Sequence, residues 1–148
     1  MFANRTLLLA RTWPAPNLTG NCLMQLAELQ TPMDQRKIGS LTVSAVGLGC
    51  MNMSFGYGPT DDNESVKLLN KAVDIGVTFL DTAEMYGAGH NEELIGKALT
   101  KRRSEYVLAS KCGLSKAGIN GNPDDIAKSC EDSLARLQTD VILSLIHI

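Results

Sequence analysis

The sequence lacks an excess of charge of either sign. Its 148 residues include 14 Lys or Arg and 16 Asp or Glu, which gives a formal net charge of −2. A protein that binds a nucleic-acid backbone or an anionic membrane surface needs a basic patch or stripe. We therefore expect neither nucleic acid nor a membrane surface among its partners.

Cysteine pairs at metal-binding spacing are also missing. The four cysteines, Cys22, Cys50, Cys112 and Cys130, are far apart and include no C-x-x-C pair. Neither a zinc site nor a disulfide framework is expected, and a reducing, cytoplasmic setting is the simplest interpretation. Because buried thiols usually act as small hydrophobic groups, Cys50 and Cys112 are expected to have no redox role.

Long apolar runs are absent as well. The longest early run, Thr6 to Ala10, is far too short to span a bilayer, so no transmembrane segment is predicted. Residues 1–32 have no sustained period and read as an extension, either a transit peptide or untranslated sequence upstream of Met33. Serine enrichment is missing there, which favours the second interpretation.

From Met33 onward the chain alternates short apolar runs with amphipathic stretches. A hairpin-like segment comes first, and the predicted strands and helices then alternate as strand "SAVGLGC", helix "PTDDNESVKLLNKAVDIG", strand "VTFLDTA", helix "HNEELIGKALTKRR", strand "YVLASKC", helix "NPDDIAKSCEDSLARLQ" and strand "DVILSLIHI". Continuously apolar strands separated by such helices indicate βαβ units and a parallel sheet, so the fold class is α/β.

The choice between the two main parallel architectures depends on the first strand. A doubly wound dinucleotide fold would carry G-x-G-x-x-G there, but "GLGCMN" has Asn52 at the third glycine position. A (β/α)8 TIM barrel is therefore favoured, and because such a barrel needs about 250 residues, we expect an incomplete one. The pattern accounts for an N-terminal hairpin and about three and a half βα units.

Ionisable side chains follow the predicted strands at the end where barrel enzymes place their working groups. Asp81 ends one strand, Tyr86 lies in the loop after it, and Lys111 lies at the end of the next strand. Each alone has a simpler interpretation, as a loop cap, a turn aromatic or a solvated cation. Together they indicate a proton-donor unit, since an ammonium beside a phenol eases loss of the phenol's proton.

These stretches resemble the aldo-keto reductase family. The stretch "GVTFLDTAEMYGAGHNEELIGKAL" is similar to the family's first signature region, and "VLASKCG" to its lysine strand. The segment "RKIGSLTVSAVGLGCMNMSFGYG" resembles the N-terminal hairpin and first strand, and "SLARLQTDVI" the helix that leads to the fourth strand. The resemblance covers residues 33–142 and is strongest to the branch described as auxin-induced-like or pyridoxal-reductase-like.

The resemblance implies a reaction and its residues. Tyr86 would be the general acid, Lys111 and Asp81 would tune it, and NADPH would supply the hydride. Met51 and Asp81 would lie near the nicotinamide end of the cofactor. The expected substrate is a small carbonyl compound, an aldehyde or ketone reduced to an alcohol, and no metal is expected.

The end of the sequence departs from the family pattern, in which a histidine ends the fourth strand. In "DVILSLIHI" His147 comes one residue early, so it is not expected to be that histidine. Residues 143–148 match one translation frame of a transposon mosaic end used in sequencing libraries. We therefore predict an adapter-derived tail at 143–148, with residues 33–142 as the N-terminal part of the barrel.

Three functional interpretations remain open. In the first, the chain is part of an NADPH-dependent reductase. The full-length parent is then the enzyme, and the fragment alone is inactive. The second is a non-catalytic, cofactor-sensing subunit resembling potassium-channel β subunits. The third is a truncated product without function.

Overall fold

The computed structural model describes residues 33–115 and 118–146. The predicted N-terminal extension and His147 lie outside these residues. In chain order the described strands are β1 (Gln35–Ile38), β2 (Leu41–Ser44), β3 (Leu48–Gly49), β4 (Phe79–Asp81), β5 (Val107–Cys112), β6 (Leu114–Ser115), β7 (Gly118–Ile119) and β8 (Leu143–Ile146). The α-helices are α1 (Asp62–Asp74), α2 (His90–Leu99) and α3 (Pro123–Leu137), and two 3-10 helices span Met51–Met53 and Thr100–Glu105.

The described residues contain a parallel sheet of four strands. Its order is β3-β4-β5-β8, and all three pairings are parallel. The strands thus lie side by side in the order in which the chain forms them, as in a barrel, with no reversal of order as in a doubly wound sheet. The structure confirms the predicted α/β class and the N-terminal part of a barrel sheet.

The strand β8 includes part of the predicted tail. Its residues Leu143–Ile146 pair with the end of β5, with Lys111 opposite Leu145. This pairing does not test the predicted adapter origin of residues 143–148, which stays a prediction.

Within residues 33–115 and 118–146, two antiparallel hairpins lie outside this sheet. The first joins β1 to β2 through Gly39, whose φ of 59° favours glycine, and it confirms the predicted N-terminal hairpin. The second joins β6 to β7. The sequence pattern did not predict it, because two-residue strands are too short to show a period.

Two of the helices, α1 and α3, begin directly after a residue whose side chain caps them. In α1 the Asp61 carboxylate accepts a hydrogen bond from the N–H of Glu64 at 3.0 Å, as in a capping box. In α3 the side chain of Asn122 accepts from Asp124 N–H, and Pro123 occupies the first turn. The two helices predicted in these stretches are confirmed.

The core lies between the helices and one face of the sheet. Its largest fully buried apolar side chains come from every layer and are Leu69, Leu80, Ile95, Leu99, Leu108 and Leu137. Alternation along a strand places neighbouring side chains on opposite faces. Because Leu80 and Leu108 face the helices, Asp81 and Lys111 face the other side of the sheet.

No helix in residues 33–115 and 118–146 combines the length and apolar character that a membrane span needs. The longest described helix, α3, has 15 residues.

Close contact between α2 and α3 depends on Gly96. A Cβ at this position would lie 2.4 Å from the carbonyl oxygen of Arg136 and 3.0 Å from the Cα of Leu137. Both are backbone atoms and cannot rotate away. Alanine here would therefore push the two helices apart.

We expect Gly96→Ala to lower the free energy of unfolding by about 1–3 kcal/mol, the usual cost of overpacking. Helix propensity alone would raise the free energy of unfolding, since alanine is favoured over glycine by about 1 kcal/mol in a helix. A decrease therefore indicates the clash with the backbone of α3. Urea denaturation measures it. Gly121→Ala is the control, because a Cβ at Gly121 would meet nothing within 4 Å, and a Gly96→Ala protein as stable as the parent would contradict the prediction.

Candidate active site

The carboxyl ends of β4 and β5 bring two charged side chains together. The Nζ of Lys111 donates to Oδ1 of Asp81 at 2.5 Å and to the carbonyl oxygen of Thr82 at 2.8 Å. The side chains of Lys111 and Asp81 are 17% and 30% exposed. The ion pair is thus largely shielded from water but open on one side, where a small ligand can reach it.

The loop after β4 places Tyr86 beside this pair. Its ring centroid lies 5.4 Å from the Nζ of Lys111, within the range of a cation–π contact. The N–H of Tyr86 donates to the carbonyl of Ala83, which turns the chain back over the strand end. The structure therefore brings together the three residues that the sequence indicated as a proton-donor unit.

A cavity of about 150 Å³ adjoins these groups. Its lining residues are Ala83, Met85, Tyr86, Lys111 and Leu114. A second cavity, of about 590 Å³, shares Met85 and Leu114 with it. The phenol and the ammonium thus border a small pocket that adjoins a larger one.

The predicted cofactor residue Met51 stands at the same sheet edge. It follows Cys50, whose N–H donates to the carbonyl of Asp81 at 2.8 Å. The Met51 carbonyl accepts hydrogen bonds from the N–H groups of Ser54 and Phe55, and these bonds close a short turn after β3. Met51 is half-buried there, two residues after Gly49, which pairs with Asp81.

The Cys50 thiol at this edge of the sheet is protonated and unreactive. Cys50 is fully buried, and burial together with the Asp81 carboxylate raises the pKa of its thiol from 9.0 to about 12. The thiol is neutral at physiological pH and packs as a small hydrophobic group. Among the described residues no three His, Cys, Asp or Glu side chains are grouped so as to hold a metal ion.

A Ser–His–Asp chain of hydrogen bonds lies near the site. The Oγ of Ser54 is 2.7 Å from Nδ1 of His90, whose Nε2 is 3.1 Å from Oδ2 of Asp62. These residue types match a hydrolase triad. Ser54, however, lines neither of the two cavities described above.

Two buried polar residues support the site and were not singled out from the sequence. Asn91 and Glu92, in the first turn of α2, are both 0% exposed. Asn91 bonds to the loops after β3 and β4. Glu92 accepts from Ser110 Oγ at 2.5 Å and from Arg136 Nε at 2.7 Å.

A signal for Glu92 was present in the sequence. It lies three and seven residues before Ile95 and Leu99, both fully buried, so it occupies the apolar stripe of α2. The position of Glu92 in this stripe indicates burial, and its carboxylate is an internal ion-pair partner of Arg136.

The part of the chain that contains these site residues is similar to known proteins. The model of the Aldo/keto reductase family matches residues 45–147. The aldo-keto reductase yakc [NADP(+)] of Schizosaccharomyces pombe is 44% identical over 115 residues, which are 72% of this chain and 34% of that protein. The L-galactose dehydrogenase of Arabidopsis thaliana is 36% identical over 117 residues, 76% of this chain and 37% of that protein.

Solved structures of proteins from the same family are also similar to this chain. The holo form of an aldo-keto reductase from Bacillus halodurans superposes with a TM-score of 0.70 at 36% identity, over 78% of this chain and 40% of that one. An aldo/keto reductase from Klebsiella pneumoniae in complex with NADP and acetate gives a TM-score of 0.59 at 37% identity, over 72% and 36% of the two chains. The chain spans about a third of the length of the curated relatives it matches.

Proposed function

The chain belongs to the aldo/keto reductase family, and on that premise we propose that the whole protein reduces a small aldehyde or ketone to an alcohol with NADPH. By the whole protein we mean the product of the complete coding sequence at the source locus. The observation that carries the proposal is the grouping of Tyr86, Lys111 and Asp81, in which Tyr86 and Lys111 line a pocket and Asp81 pairs with Lys111.

In this proposal Tyr86 is the general acid. Its hydroxyl protonates the carbonyl oxygen of a substrate held in the pocket of about 150 Å³. The Lys111 ammonium, 5.4 Å from the ring centroid, stabilises the negative charge that the phenol acquires as its proton leaves. Asp81 and the Thr82 carbonyl hold that ammonium in place through two hydrogen bonds.

NADPH, when bound, supplies the hydride that reaches the carbonyl carbon. The residues at the sheet edge fit its nicotinamide end, which Met51 and Asp81 would hold. Within the described residues, Lys111 bonds to Oδ1 of Asp81, so Oδ2 can accept from a donor on a ligand. The half-buried Met51 adds apolar surface at the same edge.

The proposal includes a cytoplasmic location. The three described cysteines, Cys50, Cys112 and Cys130, are all free. Free thiols are typical of a reducing compartment.

The test is an assay of the whole protein with NADPH and a panel of aldehydes and ketones. We expect turnover of at least one carbonyl compound at about 1 s⁻¹ or faster, the lower end of typical enzymes. NADPH absorbance follows the reaction, and fluorescence titration measures cofactor binding separately. Tight NADPH binding without turnover would favour the cofactor-sensing interpretation, and failure to bind NADPH would contradict both.

A further inference from the structure

The side chain of Asn91 connects the loops that carry the site. It is 0% exposed, and its Oδ1 accepts from Thr82 Oγ1 at 2.6 Å. Its Nδ2 donates to the carbonyl of Cys50 at 2.8 Å and to Ser54 Oγ at 2.9 Å. One amide thus joins the turn after β3 to the loop after β4.

The same residue holds both ends of the loop that carries the tyrosine. Thr82 begins this loop, and its carbonyl accepts from Lys111 Nζ at 2.8 Å while its hydroxyl donates to Asn91. At the other end, the N–H of Asn91 donates to the carbonyl of Tyr86 at 3.2 Å. The distance between the phenol and the ammonium therefore depends on a loop that Asn91 clamps at two points.

We infer that Asn91 is a positioning residue that sets Tyr86 against Lys111 for proton transfer, an inference that rests on the proposed function. It does not touch the pocket, and it acts through Thr82 and the backbone of Tyr86. An amide suits this position because it offers one acceptor and two donors at once. A carboxylate has no donor for the Cys50 carbonyl, and an apolar side chain would leave the hydroxyl of the buried Thr82 without its acceptor.

The size of the effect follows from geometry. A misplacement of about 1 Å between reacting groups can slow a reaction by about 10²-fold. Loss of the clamp permits a shift of that order while the Lys111–Asp81 pair stays intact. The chemical step should slow, and cofactor binding should not change.

The experiment compares four substituted forms of the whole protein: two single variants at the clamp, their double variant and a control. Asn91→Ala removes the side-chain contacts of the clamp and keeps the backbone bond to the Tyr86 carbonyl. Thr82→Val removes only the hydroxyl that bonds to Asn91, which keeps the test decisive where Asn91→Ala fails to fold. The control is Asn70→Ala, because Asn70 also donates its side-chain amide to a helix carbonyl, that of Val66, but lies on α1 away from the site. The readouts are kcat, the KM for NADPH and the primary deuterium isotope effect with NADPH labelled at the transferred hydrogen.

We expect kcat to fall about 10- to 100-fold for Asn91→Ala and about tenfold for Thr82→Val. The KM for NADPH should stay within about twofold, and the isotope effect should rise because hydride and proton transfer become more rate-limiting. The double variant should lose no more than Asn91→Ala alone, since both changes break one connection. A lower concentration of folded protein would change neither the isotope effect nor the KM.

Two other outcomes overturn the inference in distinguishable ways. Variants that keep the parent kcat per folded molecule and isotope effect, and only unfold at lower urea concentration, would show that Asn91 stabilises the fold without positioning the site. An unsubstituted protein that reduces no carbonyl compound would overturn the proposed function and this inference together.

Discussion

Replacing Tyr86 with phenylalanine is expected to lower kcat for carbonyl reduction by about 10²- to 10⁴-fold, the contribution typical of a positioned general acid. The change removes only the hydroxyl. The ring that lies 5.4 Å from the Lys111 ammonium stays, as does the hydrogen bond between Lys111 and Asp81. The pocket should therefore keep its shape and its cofactor.

The measurement is steady-state kinetics of the whole protein, with NADPH binding followed separately by fluorescence. The Kd for NADPH should stay within about threefold, because the lost interaction acts on the transition state. Tyr57→Phe is the matched control, since Tyr57 is 81% exposed and its hydroxyl has no place in the mechanism. A Tyr86→Phe protein that retains kcat within tenfold of the parent would assign proton donation to another group.

Replacing Arg136 with methionine is expected to lower the free energy of unfolding by about 3–5 kcal/mol, the cost of leaving a buried charge without its partner. Glu92 is 0% exposed, and Arg136 Nε donates to its Oε2 at 2.7 Å. Arg136 also lies 3.5 Å from Oε1 of Glu84. Methionine keeps much of the apolar stem of arginine, so the loss reports chiefly on the charge.

A second substitution separates charge from packing. In the Arg136→Met background, Glu92→Gln removes the orphaned charge and keeps an acceptor for Ser110, so it should recover part of the lost stability. The matched control is Lys128→Met on the same helix, where the pair with Asp132 is exposed and little or no change is expected. Urea denaturation measures all four proteins. Equal stability of Arg136→Met and the parent would contradict the assignment of Glu92 as a charged, buried partner.

The elements that could be predicted have strong local signals. Asp61 and Glu64 start α1 through a contact three residues apart, and Asn122 with Pro123 starts α3 in the same local way. The apolar runs that became β4 and β5 stood out because both faces of a parallel barrel strand are covered. Barrel order could be expected because no dinucleotide fingerprint follows the first strand.

Other elements had no such signal. The hairpin β6–β7 has strands of two residues each, too short for alternation to show. The stretch after Leu99 was expected to continue helix α2 but forms a 3-10 helix over Thr100–Glu105. Polar and basic residues dominate that stretch, and nothing in their spacing distinguishes one type of helical turn from another.

The residue types and positions of the candidate site were readable in the sequence, because each of Asp81, Tyr86 and Lys111 follows or ends an apolar run that a parallel sheet must bury. Their distances were not, because these depend on the register of β4 against β5, which pairs Asp81 with Ala109 and sets Lys111 two residues further on. The burial of Asn91 and Glu92 was likewise decided by tertiary structure alone. Polar residues in the first turn of a helix are exposed by default, and only the packing of α2 against the loops, β5 and α3 removes these two from water.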